Sequence, residues 1–205
     1  MRLIIPLLLC LLIPTALQAA ELKSAYTKIE DKSCRIVAEY EAGATSYCEG
    51  YGDIWFRIDD GDARISVTYG IDPDEPAETE RRFESFGNFN SINDVIEWRY
   101  RDGVDGGRPF AAILRWLISV PEPGGDGVER VTGQVLVVSR VGDEVGGKRD
   151  LGCVVGYVDA LVNPGASQMA RDIADSLAAD FTCGVDEPAY HGKTGRLSGQ
   201  PMRSW

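Results

Sequence analysis

The chain has 205 residues, of which 44% are hydrophobic and 26% charged, a globular composition with room for one domain or two small ones. These proportions exclude collagen-like, coiled-coil and wholly disordered chains. The formal charge of −11 argues against a general nucleic-acid binder, whose phosphate contacts need basic surface. The single histidine, His191, excludes a His–His metal site.

Residues 1–20 read as a secretory signal: Arg2, an apolar run from Leu3 to Ala16, and small residues at Ala19-Ala20 for cleavage. The run is short of the roughly 20 residues a membrane span needs, so no span is expected after cleavage. Removal takes away Arg2 and no acid, which shifts the charge from −11 to −12. Cys10 goes with it, and Cys34, Cys48, Cys153 and Cys183 remain. Four cysteines in an exported chain imply two disulfides with three connectivities open. Cys34–Cys48 with Cys153–Cys183 is preferred, the first closing a short loop and the second tying the C-terminal helix to a strand. The spacings fit no zinc motif. The expected compartment is the periplasm or the medium.

From residue 21 onward the chain reads as one globular domain to residue 183, followed by a flexible polar tail over 184–205. Arg35 to Tyr40 is a strand. A hairpin follows, with Asp60-Gly61 as a two-residue turn that sets Asp59 opposite Asp62, Ile58 opposite Ala63, Phe56 opposite Ile65 and Ile54 opposite Val67. One hairpin face is apolar. The other carries Trp55, Arg57, Asp59, Asp62, Arg64 and Ser66 and reads as wet.

Gly70 to Phe86 is an acidic connection with a short helical turn near Glu78 to Phe83. Val95 to Tyr100 is a strand and Arg101 to Arg108 a glycine-rich turn. Pro109 to Val120 is apolar on both faces, which marks a central strand. Pro121 to Gly127 breaks the chain, and Val131 to Val141 and Gly152 to Ala160 are two more strands. Ala166 to Phe181 is an amphipathic helix after an Asn163-Pro164 start, with Met169, Ile173, Leu177 and Phe181 on one face beside Ala166, Ala170, Ala174 and Ala178. Several strands followed by one helix give an α+β expectation: an antiparallel sheet of about six to seven strands with one C-terminal helix packed on one face. A flattened barrel or sandwich is the alternative.

No catalytic constellation, metal site or cofactor motif stands out. Asp59-Asp60-Gly61-Asp62 and Asp72-Pro73-Asp74-Glu75 lack the calcium-loop pattern and read as a turn and a solvated loop. Glu97 beside Trp98 is the one carboxylate whose neighbours suit a raised pKa; its plain reading is a strand residue facing solvent or paired with Arg99 or Arg115. His191 falls in the tail and reads as solvated. The glycine runs at 103–107 and 124–127 lack a phosphate-loop pattern and read as turns. Trp55, Arg57 and Arg64 form the candidate binding set, since Trp and Arg are enriched in binding hot spots.

Cys48-Glu49-Gly50-Tyr51-Gly52-Asp53-Ile54, Gly61 to Val67, Phe110 to Trp116, Gln134 to Arg140, Gly152-Cys153 through Ala160, and Ala170 to Asp175 resemble a family of uncharacterised exported proteobacterial proteins. The resemblance spans Cys34 to Cys183. It implies bacterial export and a disulfide-bonded domain, and supplies no site residues. The functional expectation is a non-enzymatic envelope interaction module, with a basic envelope protein as partner steered by the negative charge. The alternatives are a small envelope-glycan hydrolase using carboxylates such as Glu97 and a small-ligand carrier. The sequence sets neither the ligand nor the oligomeric state.

Overall fold

The computed structural model describes residues 20–74, 83–121, 130–145 and 148–204. The expected secretory signal (but for Ala20), the helical turn expected over Glu78 to Phe83 (but for Phe83, in a strand) and the chain break expected over Pro121 to Gly127 (but for Pro121, in a strand) lie outside the described residues. In chain order the elements are β1 (Leu22–Lys28), β2 (Cys34–Tyr40), β3 (Gly43–Glu49), β4 (Trp55–Gly61), β5 (Arg64–Ile71), β6 (Phe83–Phe86), β7 (Asn90–Arg101), β8 (Pro109–Pro121), β9 (Arg130–Arg140), β10 (Asp143–Val145), β11 (Lys148–Asp150), β12 (Val154–Asp159), α1 (Ala166–Leu177), β13 (Ala189–Tyr190) and β14 (Pro201–Ser204).

The α+β expectation of one sheet is overturned. Strand accounts for 55% and helix for 11% of the described residues, and the strands divide into a six-stranded sheet, β1-β7-β8-β9-β12-β13, a four-stranded sheet, β2-β3-β4-β5, and the pairs β10-β11 and β14-β6. The reason lies in β8. Its Ala112, Leu114, Trp116 and Ile118 bury into one core and its Ala111 and Ile113 into another. A strand apolar on both faces needs a layer on each side, and a 12-residue helix covers only one. The second layer is the four-stranded sheet, whose Phe56, Val67 and Tyr69 share the first core with Trp98, Leu114, Trp116, Val135 and Val137. Aromatic packing joins the two sheets there: Trp98 lies 5.5 Å from Tyr69, edge to face, and 6.3 Å from Phe56. Trp98 and Trp116 are both core residues, 0% and 3% exposed.

Helix α1 covers the opposite face of the six-stranded sheet. Ala170, Ala174 and Ala178 are fully buried against Ile113, Leu136, Val138, Val155 and Val158. Alanine at every fourth position lets the helix approach the sheet closely. The residue preceding the helix is Gly165, at φ 77°, and not Asn163. Asn163 instead donates to Asp159 O at 2.9 Å and to Lys193 O at 2.6 Å.

The β4–β5 hairpin turns at Asp62-Ala63, both in the left-handed region at φ 51° and 54°, not at Asp60-Gly61. Ile58 pairs with Val67 and Phe56 with Tyr69. The shift is an even number of residues, so each side chain keeps its face. The expected wet face is wet only in part: Arg57 and Ser66 are buried, at 5% and 1% exposed, Trp55, Asp59 and Arg64 are half-buried, and Asp62 is exposed.

Both preferred disulfides are present. Cys34–Cys48 joins β2 to β3 across a directly paired position, and Cys153–Cys183 ties the start of β12 to the segment after α1. Residues 184–205, expected to form a flexible polar tail, contribute strands through residue 204. β13 pairs in parallel with β12, and β14 pairs antiparallel with β6. The absence of a periodic face misled the sequence reading. These residues are fixed by hydrogen bonds and close backbone approach, and neither leaves a hydrophobic pattern.

Candidate functional site

Four segments at strand ends converge at one end of the two sheets: 50–54, 70–73, 102–108 and 141–143. Their positions follow from local chemistry. Gly50 N–H donates to Ile54 O at 2.8 Å, and Gly50 lies so close to the Trp98 ring that an added Cβ would sit 2.8 Å from it. Tyr51 stacks on Tyr100 at 5.8 Å. Gly142 N–H donates to Tyr69 O at 2.8 Å. At Gly70, φ is 81° and a Cβ would lie 2.3 Å from Gly142 O, so this position requires glycine.

The convergence leaves three adjoining hollows. The first, about 420 Å³, is lined by Asp53, Trp55, Asp72, Pro73, Arg108 and Asp143 among others. The second, about 510 Å³, is bounded by Tyr51, Asp53, Asp105 and Arg108. The third, about 290 Å³, shares Asp105, Arg108 and Asp143 and reaches Phe110, Arg140 and Ala178. Arg108 is common to all three and lies 3.6 Å from both Asp53 and Asp143. Trp55 forms one wall, with the Arg35 guanidinium 5.7 Å from its ring centre, and Arg35 donates to the Pro73 carbonyl.

Four aspartates, Asp53, Asp72, Asp105 and Asp143, outnumber the three arginines at this end, Arg35, Arg108 and Arg140, which leaves it mildly acidic. Asp53 is 87% exposed and Asp143 56%, so their charges face solvent. The arrangement suits a cationic side chain, which can approach the solvent-facing Asp53 carboxylate beside the Arg35–Trp55 pair. No group of three or more His, Cys, Asp or Glu placed to hold a metal ion occurs among the described residues.

Of the residues singled out in the sequence, Trp55 lines this end, while Arg57 and Arg64 do not. Arg57 donates from Nε and Nη2 to Asp59, both at 2.7 Å, and is buried. Arg64 sits at the other end of the hairpin. It donates to Asp62 at 2.5 Å and to Gly87 O at 2.9 and 3.2 Å, with Phe89 under its guanidinium at 5.1 Å. Trp55 pairs with Ile71 and Arg64 with Gly61, so the three residues are strung along the hairpin and do not form one patch. Asp59 and Asp62 serve these arginines. Asp72 Oδ1 accepts from the Asp74 N–H at 2.9 Å.

Glu97 lies under α1. It accepts from Ser24 Oγ at 2.5 Å and from Arg171 Nε at 2.6 Å, and beside it Arg99 clamps Asp175 with two bonds of 2.8 and 2.6 Å. The hydrogen bond to Glu97 raises the Arg171 pKa above its ordinary value. Two arginine–carboxylate pairs thus fasten the helix to β7. The partner of Glu97 is Arg171, not Arg99 or Arg115. His191 donates its backbone N–H to Tyr157 O at 2.8 Å, and its ring lies against Gly156.

Sequence reasoning missed Asp53, Asp72, Asp105, Arg108 and Asp143 as a group. Each sits beside a glycine or proline at a strand end, which marks a turn, but nothing local says which turns share an end of the molecule.

The fold and the site define a disulfide-bonded, mostly β protein with two facing sheets and a set of acid-rimmed hollows at one end. Comparisons with protein-family models, with curated proteins and with solved structures found no match. No helix among the described residues is long and apolar enough to cross a membrane. The two disulfides are compatible with an oxidising compartment outside the cytoplasm.

Proposed function

We propose that this is an exported, non-enzymatic envelope module, periplasmic or secreted, that binds a basic protein through the Arg108-centred end. The observation that carries this reading is the convergence of Asp53, Asp72, Asp105 and Asp143 with an aromatic wall, Trp55, on three adjoining hollows. An apolar anchor inside a charged rim is the usual anatomy of a hot spot. The overall charge of −11 supports the same partner class, because it steers a cationic protein toward the surface with a rate that falls as salt rises. The secretory signal and the disulfide pairs support export.

The test is capture from envelope extract on immobilised mature protein, beside a charge-reversed Asp53→Lys/Asp143→Lys variant. The reading expects a basic protein held by the wild type, released by salt and not held by the variant. Capture that is equal on both proteins, or that survives high salt, would sink it.

A further inference from the structure

We propose that the C-terminal segment forms a second, separate site, a pocket for small ligands bearing a carboxylate or phosphate, with Arg196 as its anchor. The pocket holds about 300 Å³, the size of a small-molecule site. Its polar lining includes Asn88, Tyr190, Thr194, Arg196, Ser198 and Gln200, and its apolar walls are Val120 and Pro201.

The anchor is set apart by its lack of any protein partner among the described residues: Arg35, Arg101 and Arg115 also lack a carboxylate, but Arg35 donates to Pro73 O, Arg115 to Gln134 Oε1, and Arg101 lies over the Phe110 ring. Seven other arginines have a carboxylate partner: Arg57, Arg64, Arg99, Arg108, Arg140, Arg171 and Arg203. Arg196 lines a hollow and has no ion-pair or hydrogen-bond partner among the described residues. In a chain with 32 acidic residues, an arginine facing a concavity with no carboxylate opposite leaves its planar set of donors for an external oxyanion.

The pocket wall is irregular in backbone but held rigidly. Asn163 bonds both the N–H and the C=O of Lys193. Gly195 N–H and Ser198 Oγ donate to Asp159 Oδ2 at 2.9 and 2.6 Å. Tyr190 Oη donates to Ser198 O. Leu197 O packs where a Cβ on Gly133 would sit. The Asp159 carboxylate lies behind the pocket wall, 1% exposed and bonded by these donors and the Leu161 and Val162 amides; its charge is felt at the lining residue Tyr190, so an anion is held on the Arg196 side of the pocket. A loop fixed before the ligand arrives loses little entropy on binding.

The experiment is a titration of the mature, oxidised protein with succinate and with inorganic phosphate, each against sodium chloride at matched ionic strength, read by backbone amide NMR shifts. The expected result is saturable shifts at Thr194, Arg196 and Gly199 from one probe or both at millimolar concentration. The probe that binds more tightly names the oxyanion. Arg196→Gln should weaken binding about ten-fold or more, as loss of a charge-assisted bond does, with an unchanged Tm because the residue is exposed. Lys193→Gln, an exposed cation outside the lining, should leave affinity unaltered. No saturable shift from either probe, equal shifts from chloride, or equal losses in the two variants would each overturn the proposal.

Discussion

Replacing Asp159 with alanine should release the C-terminal segment from the sheets. The carboxylate accepts from Ser198 Oγ at 2.6 Å, Gly195 N at 2.9 Å and Leu161 N at 2.9 Å, and from the Val162 amide. Leu161 and Val162 are 48% and 38% exposed, so water replaces the lost acceptor for those two amides. Ser198 is 4% exposed, and it and the Gly195 amide lose a charged acceptor. At about 1.5–3 kcal/mol for each of these two bonds to a charged group, Asp159→Ala costs about 3–6 kcal/mol. Hydrogen exchange then reads it locally. Protection of the amides in β13 and β14 should fall by two orders of magnitude or more, while Leu114 and Val137 in the central strands lose far less.

Acid should do the same. Burial pushes the Asp159 carboxyl up, but the bonds from Ser198, Gly195, Leu161 and Val162 outweigh it and hold the group below the ordinary value of 3.8. A depressed carboxylate stabilises the fold above its unfolded pKa, and that contribution disappears as pH falls through the folded pKa. The segment should therefore loosen below about pH 4 in the wild type and show no such step in Asp159→Ala. Unchanged protection in the variant, or wild-type tail amides exchanging at unprotected rates, would refute the reasoning.

Three further outcomes are expected. Glu97→Gln should lower stability by about 1–3 kcal/mol in chemical denaturation, because Arg171 loses its charged partner; a loss of function with unaltered stability would reinstate a catalytic role for Glu97. Tyr157 is buried and its hydroxyl has no hydrogen-bond partner among the described residues, so Tyr157→Phe should be neutral or raise stability by up to about 1 kcal/mol; a clear destabilisation would mean the hydroxyl is engaged. Loop-closure entropy gives about 3 kcal/mol for Cys34–Cys48 and about 3.6 for Cys153–Cys183, with sequence separations of 14 and 30. Paired Cys→Ser variants should fall in that order, and the reverse order would show that native packing outweighs chain entropy here.

Much of the fold was legible. The apolar faces of the hairpin, the double-sided apolarity of 109–120, the alanine stripe of the helix and the disulfide pairing all appear in the structure where the residues placed them. The second sheet was legible in principle, since a strand buried on both faces implies a layer beyond the helix. Counting strands without asking what covers each face hid it. The turn position was harder: Asp-Gly at 60–61 has the better turn chemistry, yet Asp62 and Ala63 adopt the left-handed angles. The pairing this allows, Phe56 with Tyr69 and Ile58 with Val67, sets large apolar residues opposite one another, and tertiary packing outweighs the local preference. Of the site, only Trp55 was visible. Asp53, Arg108 and Asp143 come from three connections far apart in the chain, and only the topology brings them together. The tail was misread because glycines such as Gly199 serve backbone approach, a role with no periodicity to detect.

The measurement that bears most directly on the central claim is the affinity of the captured basic partner for wild type and for Asp53→Lys/Asp143→Lys, across a salt series. The account predicts an association rate that falls with salt for the wild type, and a variant weakened ten-fold or more with most of that salt dependence gone. Equal affinity and equal salt dependence in the two proteins would contradict it.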